Sequence, residues 1–485
     1  MHTAVNIYAE DSSAVQDTGN EALRMADQVS EGFYSDSKLK EELEAEIVSV
    51  TEDFIAWEEM TEDDLQMDDY PTVKRKYYTL THHGESMDFF MDIVGNPGEN
   101  GKYPLYLTLH GGGESTKLEN DDQWVAMFEY YHDSVENGIY IACRGITDTW
   151  DMHFQEESYP LYDRLIEAMV VLCDADPDRV YLLGFSAGGD GVYQVAPRLA
   201  DRFAAVNMSS GHPNGVSVVN LANCPICLQV GIRDYYIENV QRSISAARYG
   251  KLLSEYNSHY GFGYEHQTWV HVPDGHNYVD YQDTLSRVLS EPDRFAETDA
   301  DLMLAVFQNI AIIYGLDPGV SNLSYLPSGV YDDFDQEIVS VVEEEFHLNM
   351  EEANTNAVRY VSQFVRNPVP EKLVWDLSTR AEQREKDSFY WLKADSSVNQ
   401  GIITASIDPE TNTITVEPDE KVNGDFSILF HPQLIDAAKP VTIITPEGEY
   451  TLDISVSEEY LKASALENGD PELACFGEIQ YSALQ

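Results

Sequence analysis

The apolar positions change their rhythm twice along the chain. Over residues 1 to 70, in stretches such as SKLKEELEAEIVSVTEDFIAWEEMTEDDL, they recur at helical rather than alternating spacing, with little Gly or Pro to interrupt them. This predicts an N-terminal helical extension. From about residue 71 the apolar residues gather into short runs set apart by turn residues. VKRKYYTLTHH and SMDFFMDIVG read as a hairpin, and YPLYLTLH, IYIACRG, RVYLLGF, FAAVNMS, ICLQVG and HQTWVHV as further strands. Helical segments lie between them: Leu161, Leu165, Met169 and Leu172 keep one face of a helix apolar.

Strands alternating with helices predict an α/β fold, a mostly parallel sheet covered on both faces. A mixed stretch, about 280–355, reads as an insertion long enough to fold over something. FVRNPVPEK then marks a boundary, because closely spaced prolines stop helices. Beyond it KLVWDL, SFYWLKA, GIITASI, NTITVEP, DFSILF and PVTIITPEGEYTLDI are short β-type runs. The expected organisation is a helical extension (1–70), an α/β domain (71–366) and a small β-rich C-terminal domain (367–485).

Composition narrows the choice of partners. The 485 residues include 29 Lys+Arg against 86 Asp+Glu, a net charge of -57. Such a surface repels nucleic-acid phosphates and anionic membrane faces. Five cysteines without framework spacing argue against a disulfide scaffold, and the Cys224–Cys227 pair, running into an apolar strand, reads as buried rather than redox-active or metal-binding. The N-terminus has neither a basic start nor an apolar run, and no stretch approaches the ~18 to 20 apolar residues of a membrane span. The simplest expectation is a soluble, cytoplasmic protein; a secreted chain stripped of its signal would read the same way.

The candidate chemistry begins at GFSAGG, residues 184–189. Ser186 follows a buried strand and precedes a helix. Gly184 and Gly188 remove bulk where so sharp a turn needs it, and the helix N-terminus favours developing negative charge. Upstream, the strand YPLYLTLH opens into Gly111, Gly112 and Gly113, where backbone amides can turn toward a carbonyl oxygen. The donors expected for an oxyanion are the amides of Gly112, Gly113 and Ala187. Downstream, GIRD and PDGHN place Asp234 and His276 just beyond two successive strand ends, in the order an acid and a base would take after such a serine. His266, His271, Asp190 and Asp274 read as structural, and His110 as a loop-fixing residue. Arg144, Trp150 and His153, from a loop after another strand, are candidates for lining a substrate pocket. Trp375 and Trp391 look exposed and leave room for a different reading, a catalytically silent α/β body whose β domain binds carbohydrate.

HGGG, GFSAGG, GIRD and DGHN, in this order with these strands, resemble the α/β-hydrolase superfamily, in particular its esterase and prolyl-oligopeptidase-like branches (dienelactone-hydrolase and polyhydroxybutyrate-depolymerase-like). The resemblance covers about residues 71–280. It implies a serine hydrolase with Ser186, Asp234 and His276 as a triad and neither cofactor nor metal. Small esters are the expected substrates. A peptidase acting on short peptides is the alternative.

Overall fold

A computed structural model of the chain describes residues 18–56, 70–231, 234, 241–271, 275–276 and 357–484. The expected insertion at 280–355 lies outside these residues. Helices α1 (Thr18–Ser35) and α2 (Ser37–Glu46) form as expected. Asp36 caps α2 by accepting from the amides of Lys38 and Leu39. Strand β1 (Ile47–Ile55) then departs from expectation: these residues read as helix, yet they pair antiparallel with β2 (Thr72–His82) along their whole length. The β-branched Ile47, Val48, Val50, Thr51 and Ile55 suit a strand, and the exposed edge of β2 supplies the partner that overrides local helical preference.

The other strands follow the predicted sequence: β3 (Glu85–Val94), β4 (Tyr103–Leu109), β5 (Gly138–Cys143), β6 (Ala175–Phe185), β7 (Ala205–Ser209), β8 (Ile226–Gly231) and β9 (His266–His271). They form one sheet in the order β1-β2-β3-β5-β4-β6-β7-β8-β9, antiparallel as far as β5 and parallel from there on. Period-two alternation sorts its side chains between two cores. Leu105, Leu107, Ile139, Ile141 and Leu182 face one core with helices α4 (Ser158–Leu172), α5 (Ala187–Arg198) and α6 (Arg242–Tyr260). Tyr106, Tyr140, Tyr181 and Leu183 face the other, with α3 (Lys117–Tyr130) and α7 (Ala357–Val361). Cys224 and Cys227 are buried, free thiols. Among the described residues no helix is long and apolar enough to cross a membrane.

The C-terminal part is β-rich, as expected. One sheet takes β10 (Lys372–Asp376), β13 (Ile402–Asp408), β14 (Thr413–Pro418), β16 (Val441–Thr445) and β17 (Gly448–Leu452). A second takes β11 (Ser388–Phe389), β12 (Leu392–Lys393), β15 (Ser427–Phe430) and β18 (Gly477–Gln480), with α8 (Glu458–Asn468) beside it. Its apolar core is continuous with the larger core of the α/β body, and α1 packs against α8. The two parts are also joined by buried ions. Asp163 of α4 sits 2.9 Å from Arg384, 3.0 Å from Lys386 and 3.2 Å from Arg202. Asp201 pairs with Arg384 at 2.9 Å, while Asp470 pairs with Arg366 at 2.7 Å and Arg202 at 3.2 Å. Burial alone would raise the Asp163 pKa; Arg384, Lys386 and Arg202 overcome this and hold it well below the usual carboxylate range.

Candidate active site

β6 ends at Phe185 and α5 begins at Ala187, so the whole reversal falls on Ser186. Its backbone takes φ 57 and ψ -119, a combination strained for any residue with a side chain. The Ser186 amide donates to the Ser209 carbonyl at 2.9 Å, which holds the turn on β7. Close packing explains the flanking glycines. A Cβ on Gly184 would lie 2.1 Å from the Gly188 carbonyl oxygen, and one on Gly188 would lie 2.0 Å from that of Leu109. Both obstacles are backbone. Gly188→Ala is therefore expected to lower unfolding stability by more than about 2 kcal/mol, read as the urea midpoint.

Asp234 and His276, brought in from the ends of β8 and β9, complete the cluster. His276 Nε2 lies 2.8 Å from Ser186 Oγ, and His276 Nδ1 lies 2.9 Å from Asp234 Oδ2. The Asp234 carboxylate is fully buried and His276 is slightly open to solvent. Buried Arg242 approaches the other Asp234 oxygen at 3.8 Å, a neighbour that sequence reading missed. Ser210 donates its hydroxyl to the His276 carbonyl at 3.0 Å, fixing the loop that carries the imidazole. Phe185 packs beside the ring.

The glycine loop abuts the serine: a Cβ on Gly111 would come within 3.3 Å of Ser186 Cβ. Its donors differ from those expected. The Gly113 amide donates to Asn120 Oδ1 at 2.8 Å, so it is engaged within the loop and leaves the set. The Gly112 and Ala187 amides have no hydrogen-bond partner among the described residues. His110 fixes the loop as expected. Its Nδ1 donates to the Gly111 carbonyl at 2.6 Å, and its Nε2 accepts from the Gly145 amide at 3.0 Å. Burial, then the nearby His153 and Arg144, hold this imidazole well below its ordinary pKa, so it is neutral.

Two of the three expected pocket residues turn out to be internal. His153 is fully buried, donates from Nε2 to the His110 carbonyl at 2.8 Å, and has its pKa pushed down to about 3 by burial. Arg144 is buried against Asp121 at 3.0 Å and against Asp148, and also bonds the Gly145 and Thr147 carbonyls. These residues hold the loop together and present nothing to a ligand. Only Trp150 is exposed, at 50%, beside Gly113 and edge-on to Phe154. His266 and His271 bond to Tyr264 and Gln229, and Asp190 accepts from the His212 amide; all three serve the structure, as expected. Asp274 lies outside the described residues. Trp375 and Trp391 are 2% and 1% exposed, which removes the aromatic platform that a carbohydrate-binding reading needs. Trp375 stacks on Phe389, and the Trp391 indole donates to the Pro370 carbonyl.

No family model and no curated protein matches the sequence. Solved structures do align with part of it. A thermostable esterase is 17% identical over 42% of this chain and 61% of its own length, with a TM-score of 0.29. A poly(3-hydroxybutyrate) depolymerase from Bordetella parapertussis is 17% identical over 47% of this chain and 93% of its own, at 0.33. An acylaminoacyl peptidase from Pyrococcus horikoshii is 14% identical over 45% of this chain and 40% of its own, at 0.30. The chain thus spans 61% of the length of the esterase, and at such scores these alignments decide nothing. The molecule's own topology does. With β1 set aside, the remaining strands lie in the order first, second, fourth, third, then fifth to eighth, with a strained serine after the fifth and a glycine loop after the third. By strand order, elbow and the succession of Ser186, Asp234 and His276, the body built on β2 to β9 has the α/β-hydrolase fold.

Proposed function

We propose that this protein is a serine hydrolase that cleaves carboxylic esters through an acyl-enzyme. The observation that carries this reading is the unbroken hydrogen-bond line from Ser186 Oγ, held at a strained elbow, through His276 to the buried Asp234 carboxylate. Ser186 attacks the ester carbonyl while His276 Nε2 takes its proton. Asp234 holds the imidazole in the tautomer with Nδ1–H and balances its charge once protonated. The tetrahedral oxyanion rests on the amides of Gly112 and Ala187, and the α5 N-terminus adds positive potential. His276 passes its proton to the leaving alcohol. Water then repeats the sequence and releases the acid. Exposed Trp150, beside the oxyanion loop, is the residue proposed to flank the bound acyl group.

Esters are preferred because an alkoxide leaves with less help from the acid than an amide anion does. The test is labelling with a fluorophosphonate, followed by comparison of kcat/KM on short acyl esters and aminoacyl amides. The wild type is expected to label once, at Ser186, and to favour esters. Absence of labelling would overturn the hydrolase reading, and dominant amide turnover would replace the esterase with a peptidase.

A further inference from the structure

The β2–β3 hairpin turns at His82, His83 and Gly84, and its tip meets the C-terminal domain at Glu385. Consecutive strand residues point to opposite faces. His83, however, takes a left-handed φ of 51, and its ring comes round to the side of His82, with centroids 4.1 Å apart. Both imidazoles then present Nε2 to one carboxylate, His82 at 3.3 Å from Oε2 and His83 at 3.1 Å from Oε1 of Glu385. The three ligand atoms lie within 4.8 Å of one another. In a tetrahedral site with bonds near 2.0–2.1 Å, ligand atoms sit about 3.4 Å apart, so little movement separates this cluster from a coordination shell.

What lies behind the cluster also suits a metal. His82 Nδ1 donates to Glu46 Oε1 at 3.1 Å, and Glu46 is itself gripped by Arg164 at 2.6 Å. With Nδ1 donating to Glu46, His82 has Nε2 as its ligating nitrogen once an ion enters between it and Glu385, the carboxylate–histidine arrangement found behind bound metals. Glu385 is anchored from both sides, since Arg384 and Lys386 are locked into the buried ionic layer through Asp163. Its carboxylate is thus carried by a fixed backbone.

We infer that His82, His83 and Glu385 form a binding site for a divalent transition-metal ion of the zinc type, clipping the β2–β3 hairpin to the C-terminal domain. Two imidazoles and one carboxylate select such an ion over Mg2+ or Ca2+, which prefer all-oxygen shells. His82, at the end of β2, stands four strand spacings, roughly 19 Å, from the strand that carries Ser186. The ion is accordingly a structural tie and takes no part in the proposed ester cleavage.

The test uses the full chain, stripped with chelator and titrated with Zn2+ against excess Mg2+, which occupies the general acidic surface. One Zn2+ per chain should bind and raise the melting temperature. His83→Asn, which keeps a residue at ease with positive φ, and Glu385→Gln should each abolish this stoichiometric binding and the thermal shift while leaving ester turnover unchanged. Glu46→Gln should weaken affinity about 10- to 100-fold. Co2+ should give the absorption of a four- or five-coordinate site in the wild type only. The inference falls if the stripped wild-type chain binds no stoichiometric Zn2+, the outcome expected if His82 and His83 serve only as hydrogen-bond partners of Glu385. It falls equally if the two variants bind Zn2+ as the wild type does.

Discussion

Ser186→Ala is expected to lower kcat for a short acyl ester by about 10^6-fold, and His276→Ala by a similar factor, because each removes one half of a single proton-transfer unit. Combining them should cost little more, since a base without its nucleophile has nothing to deprotonate. Asp234→Asn is expected to cost about 10^4-fold, because an amide in this buried position favours the wrong imidazole tautomer. Substrate binding should hardly change in any of them, so KM separates these losses from misfolding. Steady-state kinetics on freshly purified, folded variants provides the check. A Ser186→Ala enzyme retaining more than about one hundredth of wild-type kcat would show that another group performs the attack.

The second large effect concerns stability. Asp163→Asn removes the carboxylate shared by Arg384, Lys386 and Arg202, leaving buried Lys386 without its anion while Arg384 keeps Asp201 and Arg202 keeps Asp470. Breaking a buried ionic cluster at one member costs about 3–5 kcal/mol, several times what an exposed pair contributes. The urea midpoint of the variant at neutral pH should fall accordingly. The pH dependence gives an internal control. Because the folded-state pKa of Asp163 is depressed, its contribution is fully present above the unfolded value of about 3.9 and is lost as pH falls below it toward the folded value. The gap between wild type and variant should narrow over that acid range. A gap unchanged with pH would place the loss in packing rather than charge.

The parts of the molecule that follow from residue type and period were readable in the chain. Short apolar runs such as YPLYLTL and IYIAC set buried strands with two apolar faces, and GFSAGG demanded a turn that only small neighbours permit. The order of Ser186, Asp234 and His276 came from the same strand pattern, because each follows the end of a strand. Features set by distant partners could not be read. The strand formed by Ile47–Ile55 is fixed by pairing with β2, a partner that the helical spacing of the surrounding extension did not announce. Arg144 and His153 looked available because they follow a strand end, yet Asp121, Asp148 and the His110 carbonyl draw them inward. Trp375 and Trp391 looked exposed because their packing partners lie across the C-terminal sheets. The claim of Asn120 on the Gly113 amide had no signal in the sequence, since an asparagine seven residues on is ordinary until the loop closes over it.

The pairing of Asp470 with Arg202 has a consequence for how the protein is made. These residues are separated by 268 positions, and both are almost wholly buried when paired. Ribosomes add about 5–20 residues per second, so Arg202 emerges tens of seconds before its partner exists. During that interval Arg202 has only Asp163 beside it, and Asp163 and Asp201 wait for Arg384 and Lys386 on the surface that the C-terminal sheets will later cover. Full assembly therefore waits for the distal end of this region to be synthesised, and a ribosome stalled before residue 470 would hold a sheet that has formed but not yet closed.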